Sequence, residues 1–519
     1  MPSTRRSGIL LHPTSLPGPF GIGDLGAGAA QWLDYLAAAR QSLWQVLPLG
    51  PTGYGDSPYQ PFSAFAGTHL LIDPLALAEQ GLLTPAELWE GTPLPQDRVD
   101  YGRVIAHKGA LLRRSFERYQ AQPPATLREA LAAFEAAQRD WLEDYALFMA
   151  LKRRFDWAPW VAWPRDIALR APGAVQGWAQ TLADDVAFQK YLQGLFDLQW
   201  QGVRAAARAA RVEIIGDMPI FVGHDSADVW AHRGLFQLDG DGQPQVVAGV
   251  PPDYFSPTGQ LWGNPHYRWE RMRADGYAWW LARLRRVLSQ VDIVRLDHFR
   301  GFSGYWEVPA DEETAIHGRW VRGPGADFFH AVGRALGKLP IIAEDLGLIT
   351  PDVLALRRQF DLPGMRVLQF GFDSDGTNLH LPHNYEARSV VYTGTHDNDT
   401  TLGWYGDGQG AARHRARLYA GSDGRAMHWD MLRLVMASVA EVALAPLQDV
   451  LGLGGAARMN MPGRPDRNWT WRYRAEQLAP EVAAALAELT TVTGRWRDPA
   501  APPPDEVAPI DYVAPFAEA

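Results

Sequence analysis

The sequence predicts an α/β protein built on a closed (β/α)8 TIM barrel, and three observations carry that expectation. Eight short apolar runs of β character end in polar or Gly/Pro punctuation, at 8–12, 43–47, 212–217, 292–296, 341–343, 366–369, 390–393 and 441–447. Helical or long irregular stretches separate them, and strands that alternate with helices form a parallel sheet covered by those helices. Eight such units suit closure into a barrel better than an open sheet.

The first run leads past Pro13, Pro17 and Pro19 into a helix at 29–39, where alanine-rich sequence sets Trp32, Leu33 and Leu36 on one face. After the second run, residues 51–210 intervene before the third, far more than a barrel helix requires. That segment includes the charged helical stretch 127–155 and is expected to be an inserted helical subdomain. A second insertion, about 223–277, follows the third run and holds the turn Asp239-Gly240-Asp241-Gly242. Loops after barrel strands project from the catalytic face, so this insertion is expected to wall a substrate groove. A helix at 279–288 precedes the fourth run. Beyond the eighth there is room for helices but no run of strands that would make a C-terminal β-sandwich, and 502–506 is Pro-rich and acidic. Residues 1–519 are therefore expected to form a single catalytic barrel carrying two insertions.

Composition excludes several function classes. The formal charge, 49 − 59 = −10, repels phosphate backbones, so no nucleic-acid partner is expected. Cysteine is absent, which rules out disulfides, thiolate catalysis and cysteine-bound metals and suits a reducing cytoplasm. The apolar run at 8–11 is too short for a signal peptide, and 432–447 is broken by Arg433, Glu441 and Pro446, so no membrane association is expected. The 21 tryptophans and 17 tyrosines mostly reflect a large core. A surplus of flat aromatic rings in loops would fit sugar binding, because a sugar presents an apolar C–H face.

Barrel enzymes carry their reactive groups just past the C-terminal ends of strands. Those positions here hold Asp217, Asp297, Glu344 and Asp397. A lone acid at such a place is most often a cap or a turn residue, but four at the ends of different strands are harder to dismiss. Two carboxylates are what glycoside chemistry requires, one as nucleophile and one as acid and base. Arg295 stands two residues before Asp297 and shares its strand face, where a cation favours the ionised nucleophile.

The chain resembles the 4-α-glucanotransferases called amylomaltases, or disproportionating enzymes, of the wider α-amylase clan. The likeness rests on ordered motifs from the first strand to near the C-terminus: LHPTSLPG at 11–18, GYGDSPYQ at 53–60, GDMPIFV at 216–222 and VPPDYF at 250–255. It continues with LWGNP at 261–265, RLDHFRG at 295–301, AEDLG at 343–347 and THDN at 395–398. The resemblance implies Asp297 as nucleophile, Glu344 as general acid/base and Asp397 as a transition-state stabiliser gripping sugar hydroxyls. It implies Arg295 and His396 at the cleavage point, with His298 and Asp217 in the same shell. Trp262 would stack on a glucose ring, Tyr59 and Ser57 would line the groove, and Tyr54 with Tyr101 would make an accessory glucan contact. The stretch ARMNMPG at 457–463 falls where the family has a loop over the groove. Implied substrates are α-1,4-glucan donors and acceptors, maltodextrins and glucose, handled by a monomer with no cofactor.

Several motifs are decoys. Gly21, Gly23 and Gly26 match the dinucleotide fingerprint, but the intervening prolines break the strand–turn–helix context. Asp239–Gly242 and Asp373-Ser374-Asp375-Gly376 resemble pieces of calcium loops without the closing glutamate. No histidine spacing suits a metal, and none is expected. The rival functions are an α-amylase-like hydrolase using the same carboxylates and a non-catalytic glucan-binding barrel.

Overall fold

The computed structural model describes residues 5–91, 93–252, 256–408, 410–464 and 467–496, apart from the side chain of Tyr54. Its strands are β1 (Arg6–Leu10), β2 (Leu43–Gln45), β3 (Glu213–Pro219), β4 (Val246–Val250), β5 (Gln260–Pro265) and β6 (Ile293–Asp297). They continue with β7 (Gly304–Pro309), β8 (Arg319–Arg322), β9 (Ile341–Ala343), β10 (Gly364–Val367), β11 (Ser389–Tyr392) and β12 (Val442–Pro446). Eight of them lie side by side in the order β10-β11-β12-β1-β2-β3-β6-β9, and every pair in that row is parallel. The amide of Ala343 in β9 donates to the carbonyl of Pro363, just ahead of β10, at 2.9 Å, which brings the row round into a barrel. All eight expected runs are strands of this barrel, with ends displaced by at most about two residues, the ordinary fraying of strand assignment.

Period-2 alternation builds the barrel in layers. Leu43, Ile215, Ile293, Ile342, Met365, Val390 and Val442 pack together as an apolar plug, while Trp44, Ile214, Met218, Val294 and Leu296 point outward into the helical shell. Gly8 belongs to the crowded region of the plug, since a Cβ there would stand 2.4 Å from that of Leu43. Two residues beyond the plug, the same faces carry Gln45, Asp217, Arg295, Glu344 and Tyr392. The Tyr392 hydroxyl donates to Gln45 at 2.8 Å within this polar layer.

Between β2 and β3 run the long helices Tyr101–Ala121, Ala125–Arg154 and Ala183–Ala209. Asp184 and Asp185 in the first turn of the last of these complement its dipole and pair with Arg113 of the first. A four-stranded antiparallel sheet, β5-β4-β7-β8, stands over the barrel exit. Half of it, β7 and β8, comes from beyond β6, outside the segment 223–277 that the sequence marks as an insertion. No apolar run signals β8, whose four residues are mostly exposed. Among the described residues no strand follows β12, and no helix is long and apolar enough to cross a membrane. The triple-glycine decoy is a packed loop: a Cβ on Gly23 would meet the Pro13 carbonyl at 1.9 Å.

Candidate active site

The polar layer and the strand ends above it bring most of the expected residues together. Arg295, on β6, lies between two acids. Its Nη1 contacts Asp217 of β3 at 2.6 and 2.8 Å and Asp297 at 2.9 Å. The Asp217 side chain is wholly shielded from solvent, whereas that of Asp297 is about a quarter exposed. Tyr59 donates its hydroxyl to Asp217 at 2.8 Å and stacks on His396 with ring centroids 5.1 Å apart. Ser57 does not reach the acids in this arrangement; its hydroxyl accepts the Tyr59 amide at 3.2 Å and shapes the turn that presents Tyr59.

Glu344 follows β9 and is held from both sides. One carboxylate oxygen accepts the amide of His298 at 2.7 Å, the other that of Leu346 at 2.8 Å. His298 takes up a left-handed backbone (φ 53°) directly after the nucleophile candidate, a conformation uncommon outside glycine and frequent where geometry is fixed for function. Trp262, on β5, meets the His298 ring edge-on at 4.8 Å. Burial pushes the Glu344 carboxyl up to about 7, aided by the negative charge of Asp297. Burial also raises Asp297, to about 6, against the pull of Arg295. The sequence anticipates Arg295 as a cation favouring ionised Asp297; the contact exists, but Asp217 shares that cation and burial outweighs it. Both acids are thus held above the ordinary carboxylate range, so that one can keep its proton beside the other's charge.

Asp397 lies on the loop after β11, half exposed. His396 approaches it at 3.4 Å, and Asn460 donates its side-chain amide to its carboxylate at 2.6 Å. Arg458 binds the Asp397 carbonyl at 2.6 Å. Asn460 and Arg458 are the residues that reasoning from strand ends missed; the ARMNMPG motif was their only signal. A cleft of about 400 Å³ opens on this side, lined by His12, Leu47, His396, Asn398, Arg458 and Met459. Burial holds His12 down to about 3, so its imidazole is neutral there. The loop is anchored from below: fully buried Asp449 accepts Thr393 Oγ1 at 2.6 Å, the Thr401 amide at 2.6 Å and Thr401 Oγ1 at 2.7 Å. Tyr101 is not part of this cluster; it is buried with its hydroxyl on the Trp469 carbonyl at 3.1 Å. The Tyr54 side chain and Asp253, Tyr254 and Phe255 lie outside the described residues.

Paired strand-end carboxylates, an arginine between acids and a nearby tryptophan are the equipment of a glycosidase. The glycoside hydrolase family 77 model, described as 4-alpha-glucanotransferase, matches residues 11–478. The chain belongs to this family. The 4-alpha-glucanotransferase of Synechocystis is 51% identical over 495 residues, spanning 95% of this chain and 98% of the relative. That of Thermus thermophilus is 50% identical over 499 residues, spanning 95% and 99%. A solved amylomaltase from Streptococcus agalactiae, in complex with acarbose, superposes with a TM-score of 0.92 at 37% identity, covering 95% of this chain and all of that one. Family membership makes this a 4-α-glucanotransferase fold and chemistry, retaining and of glycoside-hydrolase type, and sets the hydrolase alternative aside.

Proposed function

We propose that Asp297, Glu344 and Asp397 carry out the glucan transfer in the following roles. Asp297 attacks the anomeric carbon of an α-1,4-glucan while Glu344 gives its proton to the departing 4-oxygen. The bond between that carbon and oxygen breaks, leaving a glucosyl ester on Asp297. Glu344, now a carboxylate, takes the proton from the 4-hydroxyl of an acceptor glucan or glucose, whose oxygen displaces Asp297 and restores the α-bond. Two inversions give retention. Arg295 and His396 bind the sugar at the scission point, and Asp397, aimed by Asn460, grips its hydroxyls as charge develops.

The observation that supports these roles is a pair of buried strand-end carboxyls: burial raises both, and the negative charge of Asp297 raises Glu344 further. It allows one acid and one carboxylate to coexist near neutrality. Transfer requires the acceptor to outcompete water. The insertions 51–210 and 223–277 supply groove walls for it: Gln60 of the first bonds the Trp262 carbonyl at 3.3 Å and the Asn264 amide oxygen at 3.1 Å in the second. Maltodextrins and glucose are the substrates on this reading, and the enzyme acts as a cytoplasmic monomer.

Incubation of the purified protein with maltotriose alone tests it. Longer maltodextrins with free glucose are expected, because hydrolysis cannot lengthen a chain; glucose and maltose alone would mean a hydrolase. Asp297→Asn should abolish both products, and near-normal activity in that variant would refute the nucleophile assignment.

A further inference from the structure

The turn after helix Ala125–Arg154 holds two consecutive non-glycine residues in the left-handed region, Asp156 (φ 49°) and Trp157 (φ 62°). That conformation is costliest for bulky side chains, and here two such residues stand in succession. Yet the Trp157 indole is 53% exposed, although core packing buries most tryptophans here. Lys152, its own side chain 1% exposed, holds the turn in place. Its ammonium donates to the carbonyls of Trp157 at 2.7 Å and Ala158 at 3.0 Å and to the Asp225 carboxylate at 2.5 Å. Two of its donors fix the strained turn that displays the exposed indole, and the third ties it to Asp225.

The surroundings connect this indole to the catalytic groove. Trp157 packs on Phe62 with ring centroids 5.9 Å apart. Phe62 borders Gly53, whose Cβ position is 3.5 Å from the Phe62 ring and 2.8 Å from the Gln60 carbonyl. Gln60 reaches the Trp262 carbonyl at 3.3 Å, and the Trp262 ring lies against His298. A chain of contacts thus runs from Trp157 through Phe62 and the Gln60 loop to Trp262 and the ring of His298, whose amide holds Glu344.

We propose that Trp157 is the stacking residue of a distal glucan subsite, binding a glucosyl unit remote from the bond that breaks and favouring long chains. The inference rests on the glucan-transferase function above. A pyranose offers an apolar C–H face, and the indole, clamped before the substrate arrives, loses little entropy on binding it.

The test is the chain-length dependence of KM for transfer, from maltotriose to long maltodextrins, in wild type and Trp157→Ala. The ratio of KM for long chains to KM for maltotriose should rise about 5- to 10-fold in the variant, as expected for uncovering one apolar ring face. Trp157→Phe should recover most of the preference. Trp157→Gly accepts the left-handed backbone without strain and should be as poor as the alanine variant. An unchanged ratio, an equal loss at every length, or recovery by glycine would each overturn the proposal. Failure of the functional reading is distinguishable, because wild-type protein would then build no ladder from maltotriose.

Discussion

Replacing Arg295 by methionine removes the one cation shared by two acids, and the structure sets the size of the effect. Asp217 would keep a fully shielded charge with, among the described residues, the Tyr59 hydroxyl as its remaining side-chain partner. Breaking a buried pair from one side costs about 3–5 kcal/mol. Asp297 would lose its partner at 2.9 Å, and removing a cation at that range raises a carboxylate pKa by about 1–3. Starting from about 6, the ionised fraction at pH 7 would fall from roughly nine-tenths to between about one-half and one-hundredth. Maltotriose transfer should drop by more than this, about 100-fold or beyond, because the arginine also binds the reacting sugar. Chemical denaturation together with ladder formation measures both quantities. Arg295→Met combined with Asp217→Asn removes the orphaned charge and should regain most of the stability while remaining inactive. A single variant as stable as wild type, or a double variant no more stable than the single, would refute the account.

Activity needs Asp297 ionised and Glu344 protonated. The kcat/KM profile should therefore rise as pH increases through about 6 and fall as it passes about 7. A profile flat from pH 5 to 9 would contradict the assignment. Asp449→Ala leaves three buried donors on Thr393 and Thr401 unpaired. It should cost about 3–5 kcal/mol in denaturant unfolding and reduce transfer as well, since the loop carrying His396 and Asp397 is held at both ends by this residue. A loss below about 1 kcal/mol would show the clamp to be unimportant.

The barrel was legible because its strands are buried on both faces, so each reads as a compact apolar run that ends in a polar residue. The candidate acids were legible for the same reason: each stands at or just past the place where such a run stops. Strands β7 and β8 were not, because an exposed edge strand such as Arg319–Arg322 has no hydrophobic pattern to give it away. Nor were the partners of Asp397, since Asn460 lies 63 residues further along and meets it because β11 and β12, which precede the two loops, pair side by side. The charge balance at Asp297 depended on burial and on a third residue, Asp217, neither of which the spacing of Arg295 and Asp297 reveals. Aromatic abundance misleads by itself: Trp32, Trp44, Trp160, Trp200, Trp230 and Trp280 are all fully buried.

In the barrel, β1 pairs with β12, from Arg6 against Val442 to Leu10 against Pro446. On the ribosome, the first barrel strand must wait for the last before its second edge is satisfied. Until then the nascent chain has an open sheet with unpaired amides and carbonyls at both ends and an apolar plug without its final wall. So long a loop closure slows folding and leaves edges prone to pairing with other chains. Asn460 and Arg458, which aim Asp397, lie further on still. The surroundings of Asp397 can therefore assemble only after residue 460 has been made, and a chain cut short before residue 442 would be left with the β1 edge exposed.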